Sequence, residues 1–319
     1  MLKILNKNIF LQWIILVALL ALSIFTIITK TQMGNGEGET FLFTAFSHFF
    51  SLHEYFGKGI IILVLFIQIV LLQYYFAKNE FSNKFSLLPA CFFLTILLLT
   101  KSLQLIFPFY FTSLFLLSIL AIPYDVSAIK LRNNAFWVGT LIAMATCFDP
   151  SAIILFIIAI VILFINQFSR IKEIGIMVMG FLLVYFYFFS YYFLTDNHCE
   201  WFVSFQQLNF FGFLNLTTPV SLVFQIKLGC LFIMYLYFLI RSRLISESKV
   251  VMLRKRVISL NSFSILLIGC LLLSNSTFPQ LFGYLFVPIT IYTGYFSQER
   301  NPLYINEIVS ILTLVVLCL

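Results

Sequence analysis

Long apolar runs fill the chain, and polar residues come in short bursts between them. Eleven runs stand out, near 9–29, 59–77, 85–100, 104–122, 134–148, 151–167, 174–195, 219–240, 257–274, 278–296 and 303–319. Most approach the roughly 20 residues with which an α-helix crosses a bilayer. In hydrocarbon every backbone N–H and C=O must be satisfied within the segment, so such runs predict helices. The expected fold is all-α: a polytopic transmembrane bundle of about 11 spans, with 9–12 as the range because several runs are short enough to be tilted, buried or merged. A single integral membrane domain would then occupy residues 1–319.

Composition supports that class. The chain is 62% apolar and 10% charged, where soluble domains carry about 25% charged residues. The start, "MLKILNKNIFLQWIILVALLALSIFTIITK", is basic like a signal peptide. Its apolar stretch is too long for a signal core and lacks a small-x-small cleavage site, so it reads as a retained first span.

Charge then supplies an orientation. With the N-terminus inside, the inner segments hold Lys3, Lys7, Lys78, Lys84, Lys130, Arg132, Arg170, Lys172 and Arg300. The basic loop 241–256, "RSRLISESKVVMLRKR", holds six more, so fifteen of nineteen basic residues lie inside. Only Lys30, Lys58 and Lys101 fall outside, and Lys227 lies within a run. This is the positive-inside pattern of a multi-pass protein of the bacterial cytoplasmic membrane with its N-terminus in the cytoplasm. It accounts for the net charge of +7 without nucleic acid as a partner.

Half of the twelve acids, and all three histidines, join the few cations on the outer side. Glu37, Glu39, Glu54, Asp149, Asp196 and Glu200 fall on the outer side, as do His48, His53 and His198. Two outer loops are long, 30–58 and 196–218. Titratable groups placed away from the cytoplasm exclude nucleotides as direct substrates there and favour lipid-borne ones.

In the first outer loop, "GNGEGE" is followed by a Phe-rich segment. Wound as a helix over 40–55, Thr40, Thr44, Ser47, His48, Ser51 and Tyr55 share about 100° of arc. Phe41, Phe43, Phe46, Phe49 and Phe50 take much of the remainder, which describes an interfacial helix capped by Thr40. Glu37 and Glu39 are either solvated loop acids or, on so flexible a backbone, a general base or metal ligand above a lipid phosphate.

The second loop contains "TDNHCEWFVSFQQLNFFGFLN". Its Asp196, His198 and Glu200 lack a standard metal-ligand spacing and suit an interface anchor with solvated charges. Three further positions are candidates. Lys227 lies about eight residues into its run, roughly 12 Å deep, where it either snorkels outward or meets an anionic phosphate. Lys101, in a tight outer turn with Ser102 and Gln104, is within reach of a lipid headgroup. Asp149 precedes Pro150 and either caps the next helix or faces an outer cavity. The six cysteines show no C-x-x-C spacing and read as small buried hydrophobes.

The run "YFTSLFLLSILAIPYDVSAIKLRNNAFWVGTLIAMATCFDPSAIILFIIAIVILFI" with "GFLLVYFYFFSYYFLTDN" resembles an uncharacterised inner-membrane family of the Bacteroidota. The arrangement of spans and loops is similar to the GT-C superfamily of lipid-dependent glycosyltransferases. Those enzymes have a first span, a large outer loop with a catalytic acid and a juxtamembrane helix, six more spans, then another large outer loop. The resemblance implies Glu37 or Glu39 as the base that activates an acceptor. It implies Lys101 or Lys227 on the phosphate of a polyprenyl-phosphate sugar, and Asp196 or His198 beside the acceptor groove. The chain departs from that family in having no Asp-Asp or Asp-Glu pair.

Three functions therefore compete. One is a transferase using a polyprenyl-phosphate-linked sugar on the periplasmic face, with a divalent metal as an open cofactor. The second is a non-enzymatic subunit or scaffold of an envelope complex with protein partners. The third, a transporter, is disfavoured because so few ionisable residues lie inside the runs.

Overall fold

The computed structural model describes residues 8–30, 49, 52–78, 86–99, 109–121, 128–165, 171–194, 233, 235–244, 251–273 and 278–297. Among the described residues every regular element is helical: α1 (Ile9–Lys30), α2 (Glu54–Lys78), α3 (Leu88–Leu99), α4 (Phe109–Ala121), α5 (Ala128–Phe148), a 3-10 turn (Pro150–Ile153), α6 (Ile154–Ile165), α7 (Ile171–Leu194), α8 (Val251–Leu273) and α9 (Phe278–Ser297). Residues 235–244 are also helical. Among the described residues three helices are long and apolar enough to cross a membrane, over Ile9–Thr29, Glu54–Lys78 and Ile171–Tyr191. Shorter apolar helices cover Leu88–Leu98, Phe111–Leu120, Ile154–Leu163 and Arg256–Ile268.

Hydroxyl residues sit within these helices because each can return its proton to the preceding turn. Ser23 donates to the Leu19 carbonyl, Thr95 to Cys91, Ser118 to Leu114 and Ser264 to Leu260, at 2.7–2.9 Å. No hydroxyl so bonded needs water, which makes it compatible with an apolar surround.

α9 is the most enclosed helix. Its Tyr284, Phe286, Val287, Ile289, Ile291, Tyr292 and Phe296 are all buried, and it packs on α3, α4 and α8. At Gly294 a Cβ would lie 2.5 Å from Cγ of Pro89 and 3.1 Å from the Phe76 ring, so only hydrogen fits where α2, α3 and α9 meet. A polar network ties 235–244 to α8 and α9. Asn261 Oδ1 accepts from Tyr292 at 2.6 Å and from Ser242 at 3.0 Å.

The most extensive pairing is α5 with α7. A Cβ on Gly139 would collide with the main-chain carbonyl of Met177, and one on Gly180 with that of Phe136. Two glycines, one from each helix, thus let the backbones touch, the usual route to tight helix packing where lipid removes the hydrophobic drive. Thr146 meets Tyr185 at 2.8 Å further along both helices. The two therefore run in the same direction, and α6, which links them in sequence, packs chiefly on α8.

Contacts between helices sort their termini into two ends. At one end Arg256 donates to the Lys78 carbonyl at 3.3 Å, and Gln12 Oε1 accepts from the Leu87 amide at 2.8 Å. At the other, Lys58 Nζ donates to the Ile28 carbonyl at 2.9 Å, and Phe111 stacks on Phe148 with ring centres 4.8 Å apart. The first end carries Lys78, Lys130, Arg132, Lys172, Arg241, Arg243, Arg254 and Arg256, with Glu173 as its one described acid. The second carries Glu54 and Asp149, with Lys30 and Lys58. The described bundle thus runs from a strongly basic end to one where two acids and two lysines balance.

Several boundaries need correction. α2 begins at Glu54, five residues before the expected span at 59, so Phe56, Gly57 and Lys58 are helical and not loop, and Glu54 and Tyr55 belong to this helix. The amides of His53 and Gly57 donate to Phe49 and His53, which joins the expected interfacial helix to α2 at its far end. The rest of that helix, residues 40–48, lies outside the described residues. α5 begins at Ala128, and the expected basic loop 241–256 is helical over 241–244 and 251–256. The physical reason is common to all of these. Hydropathy marks where apolar side chains stop, but Lys, Arg and Glu are good helix formers and carry the helix on beyond that point. The expected span at 303–319 lies outside the described residues, as does most of 219–240.

Candidate functional site

Of the residues singled out in the sequence, Asp149 falls among the described ones. Glu37, Glu39, His48, Lys101, Asp196, His198 and Lys227 lie outside them.

Asp149 is the hinge between α5 and the 3-10 turn. Its amide donates to the Ala145 carbonyl at 2.9 Å, and its own carbonyl accepts from Ala152 at 3.0 Å. Pro150 has no N–H to offer, so α5 closes at Asp149 and the chain tightens into the next turn. Pro150 thus opens the next turn, as the sequence led one to expect. The Asp149 side chain reaches elsewhere: Oδ2 accepts a hydrogen bond from the hydroxyl of Tyr284, on α9, at 2.8 Å. Asp149 is 1% exposed and Tyr284 fully buried.

The surroundings are apolar and aromatic. Phe148 stacks on Phe111, and Phe115 lies 6.0 Å from the same ring. One turn back, Thr146 donates to the Ala143 carbonyl at 2.7 Å and pairs with Tyr185. α5 therefore presents two polar links near its end, one to α7 and one to α9. Pro288 sits one turn beyond Tyr284 and contributes no N–H to α9.

A carboxyl group held in such surroundings is costly, and in membrane-embedded bundles such acids mark functional or architectural positions. Here the group faces a phenol within the protein, an arrangement suited to fixing α5 against α9. Among the described residues no three His, Cys, Asp or Glu side chains converge as a metal site.

A second polar junction lies at the same end. Lys58 Nζ, mostly buried, bridges Glu54 Oε1 at 2.6 Å and the carbonyl of Ile28 at 2.9 Å. α1 therefore ends where α2 begins, and α7, parallel to α5, ends on the same side as Asp149. The segments that carry Glu37 and Glu39, and Asp196 and His198, leave the described bundle from that end.

Sequence reasoning missed Tyr284, Asn261 and Tyr292. Their signal was present as a tyrosine stripe: Tyr284, Tyr292 and Tyr295, at i, i+8 and i+11, fall on one helical face. Nothing in the sequence pairs that stripe with Asp149, 135 positions away. Comparison with protein-family models, curated proteins and solved structures yields no match.

Proposed function

We propose that the chain is a multi-pass protein of the bacterial cytoplasmic membrane, with its N-terminus and basic end in the cytoplasm, whose opposite end acts on a lipid-borne substrate. The observation that supports this reading is the gathering of cations at one end of the bundle, with Lys78, Arg241, Arg243, Arg254 and Arg256 there, while Glu54 and Asp149 are balanced by Lys30 and Lys58 at the other. Basic residues retained on the cytoplasmic side are the strongest orientation signal in such proteins. About 11 passes is the count we favour, since short helices gain length by extending into flanking residues.

The activity best matched to this arrangement is a GT-C-like transfer of a sugar from a polyprenyl-phosphate carrier to an outer acceptor. Glu37 or Glu39 would remove the proton of the acceptor hydroxyl. The acceptor oxygen then attacks the anomeric carbon, and the carbon–oxygen bond to phosphate breaks with its electron pair leaving on the lipid phosphate. Lys101 or Lys227 would neutralise that phosphate, and His48, Asp196 and His198 would border the acceptor. Asp149 and Tyr284 would hold the floor beneath them. The test replaces Glu37 and Glu39 by Gln in cells and compares surface glycans with wild type and a strain lacking the protein. A glycan change shared by the Gln variant and the null supports the enzyme.

A second reading, a scaffold of an envelope complex, draws on the outward face of α7. Phe186, Tyr187, Tyr191, Phe193 and Leu194 are exposed there, beyond the α5 contact. A null phenotype that the Gln variant lacks would favour the scaffold.

A further inference from the structure

The outward face of the 235–244 helix is an apolar stripe that ends in a cation. Ile233, Leu236 and Ile240 are exposed, and Arg243 continues them at i, i+3, i+7 and i+10, one helical face. The adjacent α8 repeats the pattern. Arg254, Ile258 and Ile265 are exposed at i, i+4 and i+11, again on one face. The hydrogen bond from Ser242 to Asn261 holds these two helices together, so the two stripes belong to neighbouring elements. On both, the arginine lies toward the basic end, and on α8 it is followed by Arg256, which is drawn to the Lys78 carbonyl.

We propose that these two stripes seat an anionic phospholipid of the leaflet at the basic end. Arg243 and Arg254 hold its phosphate, and the acyl chains lie along Ile233, Leu236, Ile240, Ile258 and Ile265. The inference rests on the membrane reading above and adds a partner at the end opposite Asp149. Three features select this occupant. Both stripes are exposed large aliphatics, which acyl chains cover without hydrogen-bonding demands. Both end in guanidinium groups, whose planar fork fits phosphate oxygens. The charge lies at the end that the positive-inside pattern assigns to the anionic cytoplasmic leaflet. A protein partner would need polar complements along the stripes, where the exposed side chains are aliphatic. The bond from Ser242 is internal to the pair and leaves both faces outward.

The test is native mass spectrometry of the full chain released from detergent after addition of phosphatidylglycerol or phosphatidylcholine. Wild type should retain phosphatidylglycerol preferentially. The double variant Arg243→Gln/Arg254→Gln should lose that preference by about tenfold. Lys172→Gln, a charge removal on α7 at the same end, should leave it unchanged, and Arg243→Lys/Arg254→Lys should keep part of it. Equal retention of both lipids by wild type, or undiminished preference in the Gln variant, overturns the proposal. An equal loss in Lys172→Gln overturns it too, because net charge alone would then explain retention. Alkaline carbonate extraction of native membranes separates this from failure of the membrane reading. A chain that resists extraction yet shows no lipid preference refutes only the lipid seat.

Discussion

Tyr284 donates a 2.8 Å hydrogen bond to Asp149 across 135 positions of sequence, and both side chains are buried. This link joins the break between α5 and α6 to the most enclosed helix of the bundle. Tyr284→Phe keeps the ring and removes only the donor, leaving Asp149 Oδ2 without it. The expected cost is about 1 kcal/mol, seen as a lower midpoint of thermal unfolding in detergent. Asp149→Leu, which removes the whole carboxyl group that accepts this bond, should cost more. A Tyr284→Phe protein as stable as wild type would show that the bond contributes nothing net.

Two glycines hold α5 and α7 together, and a third on α7 does not. Gly139→Ala and Gly180→Ala must each push a backbone carbonyl aside, at about 2 kcal/mol. Gly175→Ala meets nothing within 4 Å and should be neutral or stabilising by about 0.5 kcal/mol. Thermal unfolding of the three variants side by side checks the order. Equal effects would place the α5–α7 contact elsewhere.

Lys58 and Glu54 are partners of unequal importance. The Lys58 side chain is 11% exposed and also satisfies the Ile28 carbonyl, whereas Glu54 is 54% exposed. Lys58→Ala should cost about 1–2 kcal/mol and loosen the α1–α2 junction. Glu54→Ala should cost less than about 0.5 kcal/mol, as exposed ion pairs do. Proteolysis between α1 and α2 reports the loosening; equal cleavage in the two variants would contradict the ranking.

Orientation can be read by labelling both ends of α7. Ile171 and Leu194 are 88% and 81% exposed, and the helix places them about 35 Å apart, more than the hydrocarbon thickness. A membrane-impermeant maleimide should reach Leu194→Cys in intact cells and Ile171→Cys only after permeabilisation. Reversed labelling would turn the protein over and remove the outer-face transferase.

By itself the sequence determined that the chain is helical and apolar, and it located most helices, because run length and period are local properties. It also placed the cations on alternate segments, and among the described residues Lys78, Lys172, Arg241, Arg243, Arg254 and Arg256 lie at one end. Boundaries such as Glu54, Ala128 and Val251 escaped it, because a helix continues past the last apolar side chain wherever the following residues favour helix. The partner of Asp149 was decided by tertiary structure alone. A carboxyl beside a proline serves equally as a cap or a cavity residue until some distant helix brings a donor, and Tyr284 arrives through packing that no local period encodes. The same holds for Gly139 and Gly180, ordinary helix interruptions in the sequence that become the contact point of two backbones only when α5 and α7 cross.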